Sequence, residues 1–366
     1  MKNTFGNNLS VTIFGESHGA AVGCVIDGIA PGIEINMEYI NASLSKRAAR
    51  SDISTPRQES DEVEFLSGVK NGFTEGTPIC LIIRNMNTVS TAYSAIEDTP
   101  RPSHADLTAE YKYHGFQDKA GGGHFSGRVT AALVAAGAIV RYALSELGIK
   151  IGTHIKTLYN ETDVDFSDFA SDVSLLETRA FPTISEEAEK RMKSAILNAK
   201  KNLNSVGGVL ETAVINMPQG VGEPWFDTAE GIISHAIFSI PGVKGIEFGA
   251  GFSVGGMLGS EANAPYAYIG EKIVTTNGAN GGICGGITDG TPIVFRTAIK
   301  PTPSIAKTQN TVNLKTGENT KIEIQGRHDP AIIHRASAVV DAVTAIAIGD
   351  LLITRYGTDF LRSKKI

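Results

Sequence analysis

Short segments rich in Val, Ile and Thr alternate along this chain with helical stretches, and the alternation predicts an α/β or α+β fold. Two further features sharpen the reading. Two Ala-rich stretches carry small side chains on several faces, as helices packed on all sides do. No composition break or convincing linker divides the 366 residues, so one domain over 1–366 is expected.

The expected elements follow in order. Ser10–Phe14 and Gly23–Ile26 read as strands, Met37–Arg47 as an amphipathic helix, and Pro78–Ile83 as a third strand. The first Ala-rich helix covers Ser126–Leu147, with Gly148 as a natural C′ residue. Tyr159–Ile184 is polar and acidic and reads as an irregular surface insertion. A helix over Glu186–Asn202, a strand over Gly208–Ile215 and a helix over Thr228–Phe238 come next. Ser239-Ile240-Pro241-Gly242 terminates that helix. Pro292–Ala298 reads as a strand, Thr308–Thr320 as a polar connection, and Ala336–Leu352 as the second Ala-rich helix.

Composition excludes several functions. A net charge of −6 and a pI near 5.8 are wrong for general nucleic-acid binding, which needs a basic face. The three cysteines, Cys24, Cys80 and Cys284, make no C-x-x-C pair, which fits free thiols in a reducing compartment. The first ten residues lack an apolar run, so no signal peptide is expected. The longest apolar-and-glycine run, Ala131–Val140, is far short of the ~20 residues that span a bilayer. A soluble, cytoplasmic protein is the expectation. Glycine is the anomaly: 40 residues, about 11% against a usual ~7%. They gather at 121–123, 242–259 and 278–290, where bare backbone can turn tightly or approach a ligand.

The histidines and cations sit beside those glycines. His18, in Gly15-Glu16-Ser17-His18-Gly19, follows a strand in a polar turn, where it is placed to exchange a proton or simply to hydrogen-bond the loop. His104 lies in Arg101-Pro102-Ser103-His104-Ala105-Asp106, again between an arginine and a carboxylate. Gly121-Gly122-Gly123-His124-Phe125-Ser126-Gly127-Arg128 opens the Ala-rich helix, whose N-terminus offers N–H groups to an anion. Asn277–Gly290 is bare enough to lie against a flat ring or a phosphate, and Lys300-Pro301-Thr302-Pro303-Ser304 follows it. Gly326-Arg327-His328-Asp329-Pro330 is a further polar turn. Lys46, Arg47, Arg50 and Arg57 place four cations within twelve residues, a solvated helix end or an anion grip. His154 and His235 have no such settings. None of these motifs is a P-loop, a Rossmann fingerprint or a nucleophile elbow, and no metal site is expected.

Taken together these motifs resemble the chorismate synthases. Gly15–Gly28 is similar to the family's first signature, Gly121–Ala138 to its second and Gly326–Pro330 to its third. Between them R-P-x-H-A-D, Ser205–Gly208, Val243–Gly249, Asn277–Ile287 and K-P-T-x-S follow the family's order over nearly the whole chain. The resemblance implies a sandwich with helices between antiparallel sheets and a homotetramer. It implies an anti-1,4-elimination of phosphate from 5-enolpyruvylshikimate 3-phosphate that requires reduced FMN. By position it implies catalytic roles for His18, His104 and Asp329. FMN contacts fall on His124, Phe125, Ser126, Pro241, Gly242, Gly285, Lys300, Pro301, Thr302, Pro303, Ser304 and Arg327. Arg47 falls where the family binds NADP or, on another reading, substrate anions. Five arginines, Arg47, Arg50, Arg57, Arg128 and Arg327, suit a substrate with two carboxylates and a phosphate, and Ser126 can donate to it. Whether NADPH or an external flavin reductase reduces the flavin is left open by the sequence. Departures from the family pattern stand at His124-Phe125, Gly127, Val129, Ser103, Pro303, Asp341 and residues 46–52. The competing readings are a true flavin oxidoreductase and a flavin or anion carrier.

Overall fold

The structure is a computed structural model that describes residues 2–49, 53–54, 61–86, 98–270, 272–275, 278–324 and 329–362. The expectations for Arg50, Arg57 and Arg327 lie outside the described residues. The chain opens with β1 (Thr4–Phe5), β2 (Ser10–Gly15), β3 (Ala21–Asp27), α1 (Met37–Arg47) and β4 (Val63–Ser67). The short hairpin β5 (Val69–Lys70) and β6 (Phe73–Thr74) leads to β7 (Ile79–Arg84) and α2 (Asp106–Tyr113). Two 3-10 turns, Ala120–Phe125 and Gly127–Val129, precede α3 (Thr130–Glu146). Next come β8 (Lys150–Leu158), β9 (Glu161–Thr162), α4 (Phe169–Thr178), α5 (Glu186–Lys201) and β10 (Gly208–Ile215). Then follow α6 (Ala229–Phe238), β11 (Val243–Phe248), the single turn α7 (Gly259–Ala262) and the hairpin β12 (Tyr266–Ile269) with β13 (Lys272–Thr275). The chain continues through β14 (Ile283–Cys284), β15 (Ile287–Thr288), β16 (Ile293–Ile299), β17 (Gln309–Asn313), β18 (Glu318–Ile322) and α8 (Ile333–Tyr356).

Two antiparallel five-stranded sheets result, in the orders β1-β2-β3-β7-β4 and β11-β16-β10-β8-β9. Alternation decides what each strand faces. Val22, Cys24 and Ile26 of β3, and Ile79, Leu81 and Ile83 of β7, all point into the core. Helix α3 packs on β3 and β7, while α8 packs on β8 and β10. The two helices touch where Gly137 meets Ala342; a β-carbon on Gly137 would lie 2.5 Å from the Ala342 backbone. Helices therefore fill the space between the sheets, as the resemblance implied.

α8 is buried from Ile333 to Ile353 except at Arg335. It is four residues longer than expected at its C-terminal end and three at its N-terminal end. By length and composition it could cross a membrane, as could Gly127–Glu146. Both are packed inside the protein, where their apolar faces are covered by the sheets.

Two polar stretches differ from expectation. Residues 159–184 contain α4, which Asp168 caps by accepting from the Ala170 amide at 3.1 Å. Its buried Val173 covers Ala213 and Ile215 on the outer face of the second sheet. This explains why β10 is buried on both faces. Residues 308–320 form most of the β17–β18 hairpin, whose Leu314 amide bonds to Asp98 and whose Thr311 hydroxyl bonds to Pro100.

Candidate active site

β2 ends at Gly15, and the next five residues turn the chain back into β3. Gly15 has φ +97, and a β-carbon there would meet the Ala21 oxygen at 2.3 Å. The turn closes with Gly19 N donating to Glu16 O at 3.1 Å. His18 lies directly against the triple glycine: a β-carbon on Gly121 would sit 2.0 Å from its Cε1. Ser17 N donates to Gly123 O at 3.1 Å, and His124 Nδ1 lies 2.8 Å from Gly15 O. The glycines are there because this loop is laid flat along the histidine turn.

One expectation changes here. Gly121, Gly122 and Gly123 all have positive φ and do not lead straight into an α-helix. Ser126 accepts from Arg128 N at 3.3 Å and caps only a 3-10 turn, while α3 begins at Thr130. The glycine backbone is therefore close to His18 without being the positive end of the α3 dipole.

The glycine loop also borders an open cleft of about 40 Å³, walled in part by Arg101, His104, Asp106, Gly122 and Phe125. Arg101 grips Asp106 with two hydrogen bonds, 2.7 and 2.8 Å. Burial pushes the Asp106 carboxyl up, but Arg101 outweighs it and holds the group below the ordinary range. His104 Nδ1 lies 4.0 Å from Asp106 Oδ1. Ser103, where the family carries glycine, adopts φ +58, a conformation glycine takes at little cost. Phe125 is 38% exposed and meets Tyr113 edge-on at 5.9 Å. His18 thus abuts Gly121, while His104 and Gly122 share the wall of the cleft.

A network of guanidinium groups continues from the glycine loop. Arg128 Nη1 and Arg47 Nη2 both bind Asp61, the latter at 2.8 Å. Arg47 also reaches Gly127 O at 3.3 Å. Arg335 donates to Arg47 O at 2.8 Å and to Asp329 Oδ2 at 2.6 Å. Burial pushes Asp61 up, yet its two arginines keep it below the usual carboxylate range. Burial lowers Arg47 against the pull of Asp61.

The remaining contacts close a ring. Val206 N donates to Pro330 O at 2.9 Å, Ser205 Oγ to Thr302 O at 2.7 Å, and Lys300 N to Gly242 O at 2.9 Å. Lys300 Nζ donates to Ser103 O at 2.6 Å, beside His104. Burial lowers the Lys300 ammonium. The structure therefore joins His18, His104, Asp329, His124–Ser126, Arg128, Arg47, Pro241, Gly242 and Lys300–Ser304 through one continuous set of contacts. It does not bring Gly285 into that set. Gly285 lies in the β14–β15 hairpin beside the start of α6, where Ala229 N meets Gly286 O. That is the far end of β16 from Lys300, about 20 Å away at the rise of a strand.

Three members went unnoticed in the sequence. Asp61 and Arg335 stand in no glycine turn, and Asn85 is an ordinary residue past a strand. Only folding brings them to Arg47 and Arg128. Arg101 was visible within its motif, but not as the partner of Asp106.

Among the described residues Arg47, Arg128 and Arg335 cluster with Asp61 and Asp329 next to the glycine loop. A cationic cluster and a cleft on one glycine-rich segment are the setting of an enzyme of small molecules. The comparisons make this particular. The family model for chorismate synthase matches residues 9–353. A chorismate synthase of Dehalococcoides mccartyi is 45% identical over 361 residues, 96% of this chain and 97% of that one. That of Methanocaldococcus jannaschii is 45% identical over 369 residues, with the same shares covered. A crystal structure of chorismate synthase superposes with a TM-score of 0.77 at 29% identity, covering 98% of this chain and 95% of that one. The chain belongs to the chorismate synthase family, lyases of aromatic amino-acid biosynthesis.

Proposed function

We propose that this chain eliminates phosphate from 5-enolpyruvylshikimate 3-phosphate in the anti-1,4 sense, giving chorismate, with reduced FMN in its site. The observation that carries the reading is the closed ring joining His18, His104 and Asp329 to Arg47, Arg101 and Arg128 around bare glycine backbone. Arg47 and Arg128, already oriented by Asp61, hold substrate anions. Ser126 donates to the same group of anions. His104, in its charged form and kept near Asp106, stabilises the charge gathering on the departing phosphate. Asp329, oriented by Arg335, helps to remove the ring proton, and His18 holds a proton at the edge of the glycine loop. A well-placed acid or base of this kind contributes about 10²–10⁴ in rate.

The residues present fit a flavin. Gly121, Gly122 and Gly242 bare their backbone, and Phe125 offers a half-exposed ring. The Ser17 and Thr302 hydroxyl oxygens are buried with no hydrogen-bond partner among the described residues, in a place where polar atoms need one. His124–Ser126, Pro241-Gly242 and Lys300–Ser304 would hold the group. Reduced FMN supplies electron density without net oxidation, since substrate and product stand at one oxidation level. Gly285 is left out of this chain's own site.

We also propose a homotetramer in the cytoplasm. The support for assembly is the set of exposed apolar side chains between residues 225 and 273: Trp225 is 85% exposed, Phe226 95% and Phe252 90%, with Tyr268 and Ile269 of the β12–β13 hairpin at 75% and 68%. Light scattering that finds a monomer at micromolar concentration would remove it.

The deciding experiment is anaerobic turnover with reduced FMN. Phosphate and chorismate should appear together in equal amounts. NADPH consumption without phosphate release would mean a flavin oxidoreductase instead. Running the reaction with and without NADPH on oxidised FMN tells self-reduction from an external reductase.

A further inference from the structure

β7 ends at Arg84, paired with Ala21, and the next residue continues the ladder once more: Asn85 N donates to Ala20 O at 3.1 Å. Its side chain then turns toward the site. Asn85 Nδ2 donates to Glu16 O at 2.9 Å and to Gly19 O at 2.8 Å, the two ends of the turn that carries His18. Asn85 Oδ1 accepts from Arg128 Nε at 2.9 Å. Both amide hydrogens and the carbonyl are engaged. The opposite orientation would face one oxygen to two carbonyls and an NH₂ to a guanidinium, so the partners fix which way the amide points.

We propose that Asn85 is a positioning residue: it couples the His18 turn to Arg128 and so fixes the proton-holding imidazole relative to the anion-holding guanidinium. This rests on the roles of His18 and Arg128 given under the proposed function. Each half is held without Asn85. The turn has its own Gly19–Glu16 bond and the glycine loop beneath it. Arg128 keeps Asp61 and the Arg84 carbonyl, the latter at 3.1 Å. What Asn85 adds is their relation to each other. A link of this kind matters for the reacting geometry more than for folding or ground-state binding, and a displacement of about 1 Å can lower rate ~10²-fold.

The test compares Asn85→Ala, Asn85→Asp and His18→Ala in the full-length enzyme supplied with reduced FMN. It measures kcat, the equilibrium dissociation constant for substrate and the melting temperature. Asn85→Ala should lower kcat about 100-fold and leave substrate affinity within about threefold, the signature of an interaction felt in the transition state. Asn85→Asp is nearly isosteric and still gives Arg128 an acceptor, but it sets oxygen against the carbonyls of Glu16 and Gly19. Its kcat should fall as far. Should Asn85→Ala not fold, Asn85→Asp alone decides. Full kcat in Asn85→Asp overturns the coupling, and so does a loss confined to substrate affinity in either variant. If His18→Ala turns over normally, the assigned role of His18 fails instead. If His18→Ala is inactive while Asn85→Ala is not, only the positioning role is lost.

Discussion

Two of the regions in which this molecule buries ions are arranged differently. In the second sheet His154 of β8 is fully buried between Asp163, 3.0 Å from Nδ1, and Glu211, 3.1 Å from Nε2. Asp163 also accepts from the Ile184 and Ser185 amides, and Phe166 closes the cluster edge-on. Burial presses the His154 pKa down, but its two carboxylates outweigh burial and raise it. Both ring nitrogens of His154 face a carboxylate of the chain. Around the glycine loop the arrangement differs: Arg47 and Arg128 meet on Asp61, and Arg335 stands close by on the Arg47 carbonyl. A perturbed histidine is therefore a poor marker of function here. The better marker is several guanidinium groups gathered beside a glycine-rich turn.

This contrast can be broken by experiment. The largest effect should come from His18→Ala, which should lower phosphate release about 10²–10⁴-fold and leave thermal stability nearly unchanged. A large loss of stability with normal turnover would place His18 with His154 as a structural residue. Next in size, Asp61→Ala leaves two buried guanidinium groups facing each other and should destabilise the fold by about 3–5 kcal/mol in denaturant unfolding. A change under about 1 kcal/mol would show that water already screens the pair.

A smaller effect is expected for His154→Gln, about 1–3 kcal/mol, and its sign with pH is specific. The folded-state pKa is raised, so the stabilisation is complete below the unfolded value of about 6.5 and is lost as pH rises through the raised value. The gap in melting temperature between wild type and variant should narrow toward alkaline pH. A gap that widens would contradict the ion-paired reading. The smallest effect should come from Asp341→Glu, under about 1.5 kcal/mol. Asp341 pairs with Arg141 at 3.3 Å, and its Oδ1 has no partner among the described residues. A small void lined by Ser43, Lys46 and Ala138 lies beside it and can take the extra methylene. Strong destabilisation would mean the void is already filled.

Local chemistry made much of this legible in advance. α1 spans Met37–Arg47 as expected because Asn36 caps it, its side chain accepting from Tyr39 N at 2.9 Å. β10 matched to the residue because Gly207 and Gly208 pass so close to Ile299 and Thr157 that no side chain fits. The polar stretches misled. α4 hides its apolar Val173 and Leu176 among acids, and β17–β18 is built from Asn, Thr and Glu. α2 was not anticipated at all. In the site, glycine-flanked histidines announce themselves within five residues. Asp61, Asn85 and Arg335 act across sequence separations of 14 to 288 residues, which only topology sets.

One contact far from the site sets the order in which the protein can be made. Asp350, near the end of α8, accepts the backbone N–H groups of Asn7, Asn8 and Leu9, so the strand leading to His18 is anchored by a residue 341 positions later. A ribosome adding 5–20 residues per second needs about 20–70 s to cover that distance. Throughout that interval the amides of Asn7, Asn8 and Leu9 lack the carboxylate that holds them, although α3, on which β3 and β7 pack, has already emerged. Anchoring of the segment before β2 is thus one of the last events of synthesis, although its residues are among the first to emerge.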